Sequence, residues 1–219
     1  DSLALTDHGV LFGAVEFYKE CLAQGIKPII GCEVYVAPRG LTQKESGIDN
    51  NPYHLVLLAE NNTGYKNLCK IVSKGFVDGF YYKPRVDHDI LKAHHEGIIC
   101  LSACIAGEIP RFIIQDQPEK AATCCELYQE IFGKDHFYLA IQDHRMQQEA
   151  KANEGLRAFS QKYDIPLVAT NDAHYVRRSD AKAHDVLLCI QTATNVEDEN
   201  RMRFPGDGFY LKSSEEMAG

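Results

Sequence analysis

No apolar run in this chain reaches the length of a membrane-spanning helix, and no signal peptide opens it, so no membrane association is expected. Basic residues are in the minority: 23 Lys and Arg stand against 31 Asp and Glu, a formal charge of −8. That balance argues against nonspecific attraction to nucleic acid, because phosphate binding needs concentrated Lys and Arg. DNA held here would need a metal, a local basic patch or another part of a longer protein. Eight cysteines follow no regular framework, and Cys124 and Cys125 are adjacent. Free thiols in a reducing compartment, the cytoplasm, are expected. The absence of GxxxxGKS/T, GxGxxG and GxSxG patterns removes support for P-loop nucleotide hydrolysis and for serine-hydrolase chemistry. The sequence starts on DSLALTDHG without methionine and stops at SSEEMAG, and both ends read as cut from something longer.

What is present is an alternation of short apolar runs and amphipathic stretches. The runs are SLALTD (2–7), KPIIGCEVYVA (27–37), YHLVLLAE (53–60), GIICLSA (97–103), HFYLAIQD (136–143) and IPLVATND (165–172). Helical periodicity occupies 13–24, 63–76, 118–133 and 148–164. Continuous apolar strands covered by helices predict an α/β fold with a largely parallel sheet, open or closed into a barrel. Gly25 and Gly133 stop two helices, and Pro28 and Pro166 open the strands beyond. The polar loop 37–52 lets residues 31–37 and 53–59 pair as a hairpin. Residues 179–193 read as a last helix, after which the chain loses periodicity and reads as leading away from the domain.

Polar residues fall where chemistry would need them. His8, Cys104, His144 and the pair Asp172/His174 each follow an apolar run, and the carboxyl ends of strands converge on the functional face of β/α folds. Residues two apart on a strand share a face, so Asp172 and His174 are expected side by side in register, as a ligand pair or as an ordinary polar strand end. Asp7 either supports His8 as a ligand or caps the following helix. Glu33 lies inside a β-branched apolar run, where a charge is costly without a partner, which favours a ligand over an edge-strand residue. His54 starts its strand, the wrong end of a simple barrel, unless the hairpin reverses it. Cys104 offers a thiolate suited to zinc or serves as a small buried hydrophobe. His88, His94, His95 and His136 read as solvated, and YYKPR (81–85) reads as a solvated loop or a basic-aromatic contact for nucleic acid. Mixed His, Glu, Asp and Cys ligation suits zinc, manganese or iron and metal-activated attack of water on a phosphoester.

LALTDHG, KPIIGCEVYVAPR, YHLVLLAENNTGYKNL, GFYYKPRVD, LSACIAGEIPR, FYLAIQDH, LVATNDAHY and the stretch from AHDVLLCIQT to FYLKSSEEM together resemble the PHP (polymerase and histidinol phosphatase) domain of bacterial replicative polymerases, specifically the DNA polymerase III alpha subunit family. The likeness covers essentially the whole chain, with NNTGYKNL, YYKPRVD and RMRFP…FYLKS pointing to the polymerase branch. The resemblance implies a distorted (β/α) barrel with a multinuclear metal site at the strand carboxyl ends. It implies ligands at His8, Glu33, His54, Cys104, Asp172 and His174, with Asp7 and His144 in supporting places. It promotes His54, which position alone ranks last. It also implies a preceding strand with a His-x-His motif and a further acidic ligand, so the barrel is expected to lack its first strand here and the metal cluster to be incomplete. Ala140 stands where a glutamate is expected. Residues 1–195 read as the PHP domain and 196–219 as the start of a connection toward a polymerase core.

The function so implied is DNA-directed DNA synthesis by the parent protein on primer-template and deoxynucleoside triphosphates, with other replicase subunits as partners. At the PHP site it is metal-dependent phosphodiester hydrolysis, a 3′→5′ proofreading exonuclease. The alternatives are a stand-alone phosphatase of small phosphomonoesters of the histidinol phosphate type, and a non-catalytic, metal-stabilised docking module.

Overall fold

The apolar runs become strands of one curled sheet in the computed structural model, which describes residues 1–218. In chain order the elements are β1 (Ser2–Leu5), α1 (Ala14–Ala23), β2 (Lys27–Val36), β3 (Tyr53–Ala59), α2 (Asn62–Val77), β4 (Phe80–Tyr81), β5 (Lys83–Val86) and α3 (His88–Ala93). There follow β6 (Ile98–Leu101), α4 (Glu108–Ile114), α5 (Pro118–Phe132), β7 (Phe137–Ile141), α6 (Gln147–Tyr163), β8 (Leu167–Ala169), α7 (Ala181–Thr192) and α8 (Ser214–Ala218). The strand order is β4-β5-β2-β3-β6-β7-β8, with β1 also on β2. Pairing is antiparallel from β2 through β3 to β6 and parallel from β6 through β7 to β8. The result is the distorted (β/α) barrel expected, as a curled half-barrel.

The expected hairpin is β2–β3, with Tyr35 opposite His54 and Glu33 opposite Val56. β2 is long enough to serve two neighbours along one edge: its first residues pair with β1, and Tyr35 and Val36 pair with β5. Between them the chain at Asp7 and Gly9 runs beside Glu33, whose N–H donates to the Asp7 carbonyl at 3.0 Å and whose carbonyl accepts from Gly9 at 2.9 Å. The side chains of Val34, Val36, Leu55, Leu57, Phe137 and Leu139 meet Leu68, Ile71, Tyr128 and Leu156 of the helices in one core. Each such side chain stabilises by roughly 1.5–3 kcal/mol when fully buried.

Local signals place the helices. The Asn61 side chain accepts from Gly64 N–H at 3.0 Å at the start of α2, Asp87 does the same for Ile90 at α3, and Pro118 opens α5. Gly64 also sits where α2 crosses the Gly97 carbonyl, and a Cβ there would collide with that oxygen. Gly64→Ala should therefore lower stability by about 2–3 kcal/mol in urea unfolding, although alanine is the better helix former. An unchanged or raised midpoint would show that the crossing opens without cost.

Three segments depart from expectation. The last strand stops at Ala169: Thr170 N–H makes the final ladder bond to Ile141, and Asp172 then turns into the left-handed region at φ 46. Asp172 and His174 therefore do not share a strand face. YYKPR is not a solvated loop but the β4–β5 turn, and Arg85 within it is fully buried. Its guanidinium donates to the carbonyls of Gly79, Leu41, Gln43 and Asp49, which explains how the interior tolerates the charge.

His88 is the third departure, because it is paired rather than solvated. Its Nε2 lies 3.1 Å from Glu108 Oε2, to which the buried Tyr128 hydroxyl donates at 2.7 Å. Burial alone would lower the His88 pKa, but the hydrogen bond and charge of Glu108 outweigh it and hold it above the ordinary 6.5. This pair therefore stabilises the fold fully below pH 6.5, and the contribution fades as pH rises through the raised value. Between about pH 6 and 8, the stability of the native chain should fall relative to His88→Gln in urea unfolding. Parallel curves would overturn this assignment.

Candidate metal centre

Glu33 is the centre of the site. Its side chain is only 6% exposed, and two imidazoles converge on Oε1: His54 Nδ1 at 2.6 Å and His8 Nδ1 at 3.1 Å. Neither approach is aligned as a hydrogen bond, and Oε1 is a buried oxygen left without one. Burial opposes ionisation of Glu33, but the adjacent His54 and His8 outweigh it and hold the carboxyl at about 2. The His8 pKa is raised, chiefly by Glu33 and against its own burial. Among the described residues, His8, Glu33 and His54 form the one set of three ligand-type side chains whose donor atoms all lie within 4.8 Å of one another.

The architecture explains the convergence. His8 follows β1 and bridges to Glu33, while the antiparallel return of β3 brings His54, at its start, beside the end of β2. That reversal removes the positional objection to His54. Cys104 comes from the turn after β6 and places Sγ 3.7 Å from His54 Nδ1. Burial pushes its thiol pKa up, with the Asp172 and Glu33 charges adding to the effect. Asp172 and His174 arrive from the loop beyond β8, with Oδ1 and Nε2 3.4 Å apart and the His174 ring 5.5 Å from that of His8. All six side chains line one cavity, although Cys104, Asp172 and His174 lie outside the tight three-residue set.

The two supporting residues separate in role. Asp7 Oδ2 accepts from Gly13 N–H at 3.4 Å just ahead of α1, the capping alternative. His144 has both ring nitrogens engaged: Nδ1 is 2.6 Å from Glu149 Oε1 and Nε2 is 2.9 Å from the Asn171 carbonyl. It therefore steadies the residue preceding Asp172 and has no free nitrogen to offer as a ligand. Ala140 is buried on the same wall and contributes no carboxylate.

The tail takes part in the site, which its lost periodicity did not suggest. The Asn171 side chain donates to the carbonyls of Gly208 and Tyr210, and His174 N–H donates to that of Phe209 at 2.8 Å. Phe209 stacks on the His144 ring at 3.9 Å and 6°, and Phe204 lies against His174 and His184. A signal was present: the aromatic residues of RFPGDGFY are out of place in a solvated linker.

The donor set fits a divalent ion. Nitrogen, carboxylate and thiol donors around an orphaned, ionised oxygen suit zinc or another borderline metal better than magnesium or calcium. The fold defines a class, the distorted β/α barrel domains. Within that class the chain belongs to the PHP domain family, which its sequence matches over residues 1–144; PHP domains are generally metal-dependent. It is 49% identical over 99% of its length to the DNA polymerase III subunit alpha of Thermus aquaticus, and 48% identical over its whole length to that of Treponema pallidum. The Deinococcus radiodurans protein of the same name is 45% identical over 99% of the chain. The chain spans 18%, 19% and 16% of the lengths of these relatives, respectively. No helix among the described residues is long and apolar enough to cross a membrane.

Proposed function

We propose that this chain is the PHP portion of a bacterial DNA polymerase III alpha subunit, and that its own centre hydrolyses the phosphodiester at a DNA 3′ end. In this reading the parent copies DNA from primer-template and deoxynucleoside triphosphates in the cytoplasm, alongside other replicase subunits. Likeness over the whole chain to relatives named DNA polymerase III subunit alpha supports the parent. Residues 1–195 are the PHP domain and 196–219 begin the connection onward, held to the domain by Asn171 and Phe209.

The hydrolytic reading is carried by the buried, unsatisfied Glu33 Oε1 facing two imidazoles. His8, Glu33, His54, Cys104, Asp172 and His174 would hold zinc or manganese, with iron as a third choice. When bound, such an ion would acidify water and polarise the phosphoryl group. Glu33 stays ionised at neutral pH and supplies fixed negative charge. Burial keeps the Cys104 thiol protonated, and as a ligand it would hold a metal through its thiolate. His144 and Glu149 hold the Asn171 carbonyl and so set the loop that presents Asp172.

The test adds the preceding strand that the resemblance implies, loads the protein with zinc or manganese and offers a primer with a mismatched 3′ end beside a small phosphomonoester. Nucleotide release from the primer is expected, with a drop of about a hundredfold or more in Asp172→Ala. Release that survives this substitution would sink the reading, as would hydrolysis of the phosphomonoester alone.

A further inference from the structure

Two segments that carry candidate ligands meet at the carbonyl of Ala106, which accepts from His54 N–H at 3.1 Å and from Arg111 Nη2 at 3.1 Å. Ala106 lies in the turn that presents Cys104, closed by a bond from Gly107 N–H to the Cys104 carbonyl at 2.8 Å. The turn is tight. Ala103 sits in the left-handed region at φ 61, and a Cβ on Gly107 would strike the Ser102 carbonyl oxygen. On the other side His54 is the second residue of β3, with Asn51 and Pro52 just ahead of the strand.

Arg111 spans both sides. It closes the first turn of α4, and a helical side chain points back toward the start of its helix. Besides Ala106, its guanidinium donates to the carbonyls of Asn51 and Pro52, each at 3.2 Å, and lies 4.6 Å from the centre of the Tyr53 ring. All three bonds go to backbone carbonyls and none to a carboxylate. Burial lowers the Arg111 pKa, so a cation in this place needs partners that reward it. A planar fork can reach three carbonyls in different directions, which the single ammonium of a lysine does poorly.

The consequence is geometric. Cys104 Sγ and His54 Nδ1 are 3.7 Å apart although the residues are separated by 50 positions in the chain. The β3–β6 ladder runs only as far as Val56 and Leu101, short of both residues. Beyond that pair the spacing is set by the His54–Gly107 bridge and by Arg111.

We propose that Arg111 is a positioning residue of the metal centre, whose forked donors fix the separation of His54 and Cys104. This role rests on the reading of those two side chains as ligands, and Arg111 acts on them through the backbone alone. It also gives the arginine of LSACIAGEIPR a task.

Two variants test it: Arg111→Met keeps an apolar stem and removes the donors, and Arg111→Lys keeps the charge without the fork. Amide hydrogen exchange of the metal-free chain, followed by NMR, should be about tenfold faster at His54 and Gly107 in both variants. Cys100 and Leu139, whose N–H groups donate to the His136 and Pro166 carbonyls across the sheet, should exchange as in the native chain. The second measurement is cobalt(II) titration of the chain joined to the preceding strand that the resemblance implies. Affinity should fall about tenfold in both variants, and the near-ultraviolet sulfur-to-cobalt band from Cys104 should weaken. Native exchange at His54 and Gly107, an equal rise at Cys100 and Leu139, full rescue by Arg111→Lys or unaltered cobalt affinity would each overturn the positioning role. A native protein that binds no cobalt, with the local exchange pattern still seen, would instead overturn the reading of His54 and Cys104 as ligands and leave Arg111 as the tie between their segments.

Discussion

Glu33→Gln should cut affinity for zinc or manganese by a hundredfold or more, read by competition with a chromophoric chelator. Loss of an outer residue that merely orients a ligand costs about 10–100-fold, and Glu33 supplies the oxygen itself. The amide keeps the shape of the side chain but removes the charge toward which His8 and His54 lean at 3.1 and 2.6 Å. The effect should also appear in stability. Metal at about 100 times its dissociation constant should stabilise the native chain by about 2.7 kcal/mol, and the same concentration should do almost nothing for the variant. Equal affinity in the two proteins would move the metal centre away from Glu33.

Arg85→Met should lower the unfolding free energy by about 3–5 kcal/mol, the largest stability loss expected from any single change here. Methionine fills much the same volume, so the cost is polar. Four carbonyls, those of Gly79, Leu41, Gln43 and Asp49, lose their donor inside the protein. Three of them belong to the loop between β2 and β3, which has few other anchors, among them Arg39 on Asp49. The variant should therefore be cut by protease in that loop well before the β2–β3 ladder opens. A loss below about 1 kcal/mol in urea unfolding would show that Arg39 and Asp49 hold the loop on their own.

The parts of this protein that were legible in its sequence follow from local rules. β2, β3, β6 and β7 are continuous apolar runs, and α2, α5 and α6 have the right period and punctuation, so their placement needs little tertiary information. Glu33 was readable because a charge in such a run needs a reason. Other features depended on distant partners. Arg85 looks like a surface cation until the carbonyls of the preceding loop surround it, and His88 looks solvated until α4 brings Glu108. Asp172 and His174 read as strand residues because their local pattern alternates. Asn171 instead spends its side chain on the backbone of residues 208 and 210, and β8 ends early. Phe204 and Phe209 gain meaning only from the rings they meet.

The clamp of Asn171 and Phe209 on the ligand loop also has a kinetic consequence. His8, Glu33 and His54 are synthesised early and can meet once the β2–β3 hairpin forms, but Asp172 and His174 are set by residues near 209. These contacts join residues 37 and 39 apart near the C-terminal end of the chain, so a chain made from its N-terminus completes them last. On the proposed metal centre, a nascent or partly folded chain would expose an early half-site of two histidines and a carboxylate, able to capture ions weakly and exchange them freely. Metal retention should report completion of folding, and chains stalled before the tail docks should lose their ion to a mild chelator within the time of mixing.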